Sequence, residues 1–321
     1  MSRKLLVLLA LALIVVIVAY WVWGREFDWS LFLSSLKTVK AGWLAASIAA
    51  TMGTYWFRAV RWQVLLAPLK AIRVPSLFAI TVIGFSAIFM LGRAAELARP
   101  IWLSRREKVA LTGSVATIVV ERFLDLIMLI LAFGVALLTA DVPGSPLVAL
   151  LKRAALIIAA VAAAALISLF ILRSNAAWVV GKIPFRRVAS WMDSFLQGLS
   201  FLQNGKSLAL VFIQSVGLWI LIALQFWFML LGMNFSLSAA SATLVMVGAG
   251  IGSIAQIPAI GGGFQAGYII CMTAFFQVPK EQAVATSLVA AFLSFVPTIA
   301  ISFLFMAAQG FSLRELKSSL K

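Results

Sequence analysis

The chain contains no histidine and one cysteine, Cys271, in 321 residues. That leaves no partner for a disulfide and argues against a His/Cys metal centre or a Cys/His nucleophile. Charge is scarce as well: 11% of residues are charged against 64% hydrophobic, the mean hydropathy is +1.09, and no long hydrophilic stretch interrupts the chain. Such a composition belongs to a polytopic membrane protein and not to a soluble enzyme. A nucleotide-binding P-loop is missing, because the one glycine-rich run, "PAIGGGF" (258–264), is not followed by Lys-Ser/Thr. Cleavage of a leader is not expected either. The apolar run 5–23 behind Arg3 and Lys4 is too long for a signal h-region, and no A-x-A site follows before Arg25. The run reads as an uncleaved first helix, and no lipidation motif is visible.

What is present is basic charge. The 26 Lys and Arg against 10 Asp and Glu give +16, which in a soluble protein would point to nucleic acid. Here the excess is expected in cytoplasmic loops, and no nucleic-acid partner is expected.

About 20 apolar residues cross the ~30 Å hydrocarbon layer. Six stretches qualify: 5–23, 41–66, 113–138, 154–172, 207–231 and 282–308. Two more are interrupted. The stretch 76–103 contains Gly92, Arg93 and Glu96 and approaches Pro100, and 238–278 is broken by "QIPAIGGGFQ" (256–265). With the N-terminus inside, the inside segments carry 16 Lys and Arg and the outside segments six. That bias satisfies the positive-inside rule only if 76–103 enters and leaves on the cytoplasmic side and 238–278 on the outer side. Both therefore read as re-entrant hairpins, whose irregular backbone is tolerated where it lines a protein-enclosed or wet cavity.

The expected fold is thus all-α and polytopic: about six full spans plus two re-entrant helical hairpins, about eight membrane segments in an inverted repeat. Residues 1–321 form a single transmembrane domain, with a first repeat over about 1–140 and a second over about 150–310. Transporters with this organisation bind near the midplane between repeats. A weak echo accompanies the topology, since "LTGSVATIVVERFLDL" (111–126) lies over "VATSLVAAFLSFVPTI" (284–299) without gaps. The connector 173–206 holds Arg173, Lys182, Arg186 and Arg187 around Trp191, Phe195 and Leu199 at spacing four. It reads as an amphipathic segment on the cytoplasmic leaflet or as an ordinary basic loop.

Charge at membrane depth is the sharpest feature: Arg93, Glu96 and Arg99 in "GRAAELARP", then Glu121, Arg122 and Asp125 in "ERFLDL". Each such residue costs about 2.5–3.5 kcal/mol on insertion scales, so it is expected to face a cavity, pair, or handle a ligand. Glu121 and Asp125 share one helix face near mid-bilayer, with Arg122 about 100° round the helix. Two carboxylates one turn apart repel unless arginines neutralise them. Two readings stay open. One is a structural salt-bridge network, Arg93 with Glu121 or Glu96 with Arg122. The other is a phosphate site in which arginines bind the ligand and the acids position them or carry protons.

Gly261, Gly262 and Gly263 lie at the expected tip of the second hairpin with Gln265 beside them. They form either a tight turn or a set of free N–H groups facing an anion. Arg58 and Arg61, in "YWFRAVRW", are expected to snorkel to the cytoplasmic interface, the alternative being a doorway for an anionic headgroup. Gln214, Gln225, Ser294 and Pro297 read as interhelical packing features.

"GRAAELARP", "ERFLDL" and "IPAIGGGF", in this order, resemble the lysylphosphatidylglycerol synthase transmembrane (flippase-like) family over nearly the whole chain. The resemblance implies a multispanning protein associated with moving lipid between leaflets. Some members carry a soluble aminoacyltransferase; here only a short basic tail follows Met306, so lipid movement without aminoacyl transfer is expected. Members often place an acidic residue after the glycines, where this chain has Gln265 and Ala266. The expectation is therefore a non-enzymatic lipid flippase of the bacterial inner membrane, both termini cytoplasmic. It would need no cofactor and would act on a polar or anionic lipid at Arg93, Arg99 and Arg122. The alternatives are a membrane-embedded lipid transferase using Glu121 and Asp125, and a partner subunit of a lipid-synthesis enzyme. A homodimer is a further open assembly.

Overall fold

A computed structural model of the chain describes residues 27–142, 174–198, 204–255 and 262–308, and part of 157–171. The expected first helix over 5–23 falls outside the described residues, as do 256–261 and the tail. Among the described residues all regular structure is helical. The helices are α1 (Trp29–Lys37), α2 (Ala41–Leu66), α3 (Val74–Leu91), α4 (Ala98–Glu107), α5 (Leu111–Thr139), α6 (Ala176–Gly181), α7 (Arg186–Gly198), α8 (Gly205–Gly232), α9 (Ala239–Gly252), α10 (Gly263–Phe276) and α11 (Lys280–Ala308). A 3-10 turn, Arg93–Leu97, links α3 to α4.

Length divides them into two kinds. The helices α2, α5, α8 and α11 have 26, 29, 28 and 29 residues. At about 1.5 Å per residue each exceeds the ~30 Å of hydrocarbon. With 18, 10, 14 and 14 residues, α3, α4, α9 and α10 reach about 27, 15, 21 and 21 Å and fall short of it. The spans expected at 41–66, 113–138, 207–231 and 282–308 match the long helices to within two residues at either end. Of these, α8 and α11 are long and apolar enough to cross a membrane by length and composition.

The short helices form two hairpins. In the first, α3 ends at Gly92, whose φ of 81° and ψ of −174° lie where a side chain is strained, so the chain turns sharply there. The chain then returns through the 3-10 turn and α4. Its two ends meet, since Lys70 Nζ donates to the Glu107 carbonyl (2.6 Å) and Ser76 Oγ to Glu107 Oε1 (3.0 Å). In the second hairpin, α9 and α10 approach backbone to backbone. A Cβ on Gly252 would lie 2.1 Å from the Gly263 carbonyl oxygen, and one on Gly267 2.1 Å from that of Gly248. Two small-xxx-small stripes, Gly248/Gly252 and Gly263/Gly267, thus face each other, a packing device of membrane helices.

The hairpins attach at opposite ends of α5. The base of the first leads directly into Leu111, whereas that of the second packs Leu244, Ala240 and Phe276 against Ala136, Leu137 and Ala140. Each hairpin has its own apolar core. One core gathers Trp62, Leu77, Ile80, Trp102 and Leu103, and the other Phe226, Met229, Val245, Tyr268 and Met272. The antiparallel pair α2–α8 ties them together: Lys40 N–H donates to the Gly232 carbonyl (2.9 Å), Ser47 Oγ to that of Gln225 (2.9 Å), and Asn234 Nδ2 to that of Thr38. The polar site lies between the two cores.

At the margins, Asp28 caps α1 by accepting from Ser30 Oγ (2.7 Å) and from the Ser30 and Leu31 N–H groups. These bonds, the Ser30 hydroxyl first, hold its carboxyl below the ordinary range. The connector holds two helices, α6 and α7. Leu196 is buried in the first core while Phe185, Val188 and Trp191 are exposed, so part of the amphipathic face serves the protein and not lipid alone.

Candidate functional site

Glu121 stands ten residues into α5, about 15 Å from its start, with its side chain wholly buried. Its Oε1 lies 3.1 Å from Arg99, 3.5 Å from Arg58, 3.6 Å from Arg122 and 3.7 Å from Arg61. Arg99 donates to both carboxylate oxygens, Nη1 to Oε1 (3.1 Å) and Nη2 to Oε2 (3.2 Å), the forked geometry that arginine matches best. One turn on, Asp125 accepts from Arg61 Nη2 (2.7 Å), Arg58 Nη1 (2.8 Å) and Arg122 Nη1 (3.3 Å). Glu96, on the 3-10 turn, places Oε1 2.6 Å from Arg122 Nε. Four guanidiniums thus face three carboxylates among the described side chains, one positive charge in excess. The repulsion between Glu121 and Asp125 is answered by arginines on every side.

The backbone makes this possible in identifiable ways. Glu121 and Asp125 are spaced i, i+4 and Arg58 and Arg61 i, i+3, so each pair shares one face of its helix and α2 and α5 zip together. Arg99 fits because residue 84 is glycine: a Cβ there would lie 2.1 Å from Arg99 Cγ. The aromatic rings replace lost hydration. Trp62 holds its ring 4.5 Å from the Arg99 guanidinium and donates Nε1 to Thr117 Oγ1 (2.9 Å). The Phe85 ring meets Arg58 at 4.9 Å, Arg99 at 5.4 Å and Arg122 at 5.7 Å. Arg61 reaches Ser215 Oγ (3.2 Å) on α8, so the network binds three long helices and the first hairpin.

Beside the network lies a cavity of about 290 Å³. Arg58, Arg122 and Glu96 line one wall. The bend of the first hairpin supplies Gly92, and the second hairpin supplies Gly250, Ser253 and Phe264. The opposite wall is neutral: Gln225, whose Nε2 donates to Ser294 Oγ (2.7 Å), and Trp219. In the ungapped overlay of the two halves, Ser294 falls over Glu121 and Thr298 over Asp125. Thr298 Oγ1 donates to the Tyr55 hydroxyl (3.2 Å). These two positions are therefore polar in both stretches and charged only in 111–126.

The described residues contain no cluster of His, Cys, Asp and Glu able to hold a metal ion. Arginines and buried carboxylates are suited to binding and orienting an oxyanion.

The family described as the lysylphosphatidylglycerol synthase TM region matches residues 7–302. The chain belongs to this family. Its description ties it to membrane-lipid chemistry, and with the apolar helices it makes the chain an α-helical membrane protein. No curated protein matches the chain.

The candidates read from the sequence divide. Glu96, Arg99, Glu121, Arg122 and Asp125 come together in one network, including the Glu96–Arg122 pair. Arg93 opens the 3-10 turn, and its side chain lies outside the described structure. Arg99 is fully buried, its guanidinium forked onto Glu121. Arg58 and Arg61 do not snorkel. Both are buried in the network, because α5 offers them carboxylates at matching depth. Arg122 meets Asp125 three residues on, the spacing of neighbours on one helix surface, so its offset from Glu121 does not keep it out of the network. Of the glycine tip, Gly261 lies outside the described residues. Gly262 donates its N–H to Gln265 Oε1 (2.9 Å), capping α10, and Gly263 packs against Gly252. The Gln265 carbonyl is thereby committed to its own helix. The signal for Arg58 and Arg61 was available: two arginines at i, i+3 in an apolar helix need carboxylates, and "ERFLDL" holds them at i, i+4.

Proposed function

We propose that the protein moves a polar or anionic phospholipid between leaflets without altering it. In this reading α3–α4 and α9–α10 are re-entrant hairpins from opposite faces of the bacterial cytoplasmic membrane. The two halves form an inverted repeat with both termini inside. The headgroup passes through the cavity between the two hairpins while the acyl chains stay in lipid. The observation that carries this is the cavity itself. It is lined by the bend of the first hairpin and by both helices of the second, its charged wall has one positive charge in excess, and its other wall is neutral and hydrogen-bonding. A negative headgroup completes the charge balance there, and the flanking aromatic rings exclude water, which strengthens the interaction.

The buried acids hold the arginines in place, since an arginine without a partner at this depth would be prohibitively costly. Of the site's described arginines, Arg122 keeps the most exposure, with 35% of its side chain accessible, so it is assigned first contact with the headgroup.

Reconstitution tests the reading. Vesicles carrying the protein and fluorescent phosphatidylglycerol should show protein-dependent loss of protection from an external quencher, slowed at least about tenfold by Arg122→Gln, or about 1.4 kcal/mol. Chromatography of the recovered lipid should show an unchanged headgroup. Rates equal to those of protein-free vesicles would exclude transport, and a modified headgroup would make the protein a transferase.

A further inference from the structure

We propose that Glu96 is a built-in stand-in for the ligand: its carboxylate covers Nε of Arg122, and a phosphate binds by displacing it. The proposal deepens the reading of the cavity as a headgroup site and rests on it.

Three observations converge. The first is how the arginines are used. Arg99 is gripped on two nitrogens by Glu121, and Arg58 and Arg61 each donate to Asp125 at 2.7–2.8 Å. Arg122 donates only Nη1 to Asp125, at 3.3 Å. Its Nε and Nη2 are buried with no hydrogen-bond partner among the described residues, although Glu96 Oε1 lies 2.6 Å from Nε. The contact is close but misaligned, an ion pair without the directed hydrogen bonds of its neighbours. An oxyanion with two free oxygens can engage both nitrogens in the side-on fork that arginine offers to phosphate.

The second observation is position. Glu96 sits on the 3-10 turn just beyond the Gly92 bend, not on a packed helix, and both Glu96 and Arg122 line the cavity. The Glu96 side chain is 25% accessible, whereas that of Glu121 is 0%. Rotating Glu96 away leaves the deep Arg99–Glu121 fork intact. The third is charge. With Glu96 withdrawn, four guanidiniums face two carboxylates, and a singly charged phosphodiester restores the original balance. The stand-in thus keeps Arg122 neutralised when the site is unoccupied. It also sets a threshold that only a competing anion passes, which is how specificity arises by competition.

The test uses the full chain in detergent micelles, with binding read from tryptophan fluorescence, since Trp219 lines the cavity. The probes are dihexanoyl phosphatidylglycerol, inorganic phosphate and, as the uncharged control, dihexanoylglycerol. Glu96→Gln should bind dihexanoyl phosphatidylglycerol about fivefold more tightly, the upper range for releasing a partly exposed ion pair. It should leave dihexanoylglycerol unchanged, and the double variant Glu96→Gln, Arg122→Gln should lose the gain. The same gain with inorganic phosphate alone supports displacement and identifies the ligand as the free anion. Equal or weaker binding by Glu96→Gln overturns the proposal by making Glu96 a positioning residue for Arg122. Glu96→Asp withdraws the charge by one methylene and should give an intermediate gain. Loss of folded protein in both variants would assign Glu96 to the scaffold and also overturn it. Tighter binding without translocation in vesicles leaves displacement standing and removes only the transport reading.

Discussion

Replacing Glu121 by Gln removes one negative charge from the centre of the network and keeps the side chain's shape. Its Oε1 is the point on which Arg58, Arg61, Arg99 and Arg122 converge within 3.1–3.7 Å. After the change, four guanidiniums share Asp125 and Glu96, and one amide oxygen replaces two carboxylate oxygens. The new NH2 group must also face an arginine donor, because Arg99 donates to both oxygens of Glu121. Breaking a buried ion pair from one side costs about 3–5 kcal/mol. That is roughly two to three and a half orders of magnitude in the folded-to-unfolded ratio. Glu96→Gln removes a partly exposed partner and should cost under about 1 kcal/mol. The assay is the fraction of monodisperse protein in detergent across a temperature series, with both variants side by side. A paired Arg99→Met, Glu121→Met variant preserves the network's net charge and should recover at least half of the loss, since apolar replacement of a buried pair is commonly tolerated. If Glu121→Gln melts with Glu96→Gln, the network is not the buried, mutually dependent assembly described above.

Two further outcomes follow from the packing and the orientation. Gly84→Ala sets a Cβ 2.1 Å from Arg99 Cγ and should destabilise by about 1–3 kcal/mol through overpacking. Gly134→Ala, with nothing within 4 Å of the added atom, should not, and equal melting of the two would refute the close approach. In a Cys271→Ala background, Ser34→Cys should react with an impermeant thiol reagent added outside intact cells. Arg105→Cys should react only after permeabilisation, and labelling of Arg105→Cys in intact cells would contradict the opposed hairpins.

The long helices were legible because length and hydropathy decide them almost alone, so α2 and α8 agree with expectation to within two residues. The first hairpin was legible from Gly92 and its adjacent charges, which an uninterrupted span cannot hold. Harder to read was the partner of each charge. Arg122 pairs with Asp125 three residues on along its own helix and with Glu96 on the 3-10 turn, and only the first of these is local. Arg58 and Arg61 look like interface residues until α5 is placed beside them: the i, i+3 arginines and the i, i+4 acids are each visible in the sequence, but their pairing across 63 to 67 residues is not. The glycines of the second hairpin read as a tight turn or an anion cradle, and the contact stripe that Gly248, Gly252, Gly263 and Gly267 form is visible only as two i, i+4 pairs read together.

The central claim, that an anionic headgroup occupies the cavity between the two hairpins, is tested most directly by trapping lipid in place. A photoreactive amino acid at Phe264, on the cavity wall, is compared with one at Val119, on the exposed face of α5. Both are illuminated in vesicles of mixed phosphatidylglycerol and dioleoylglycerol. The account predicts adducts at position 264 strongly enriched in phosphatidylglycerol, with the enrichment abolished by Arg122→Gln, and adducts at position 119 in the proportions of the bilayer. Bilayer proportions at both positions, or enrichment at 264 that survives Arg122→Gln, would contradict it.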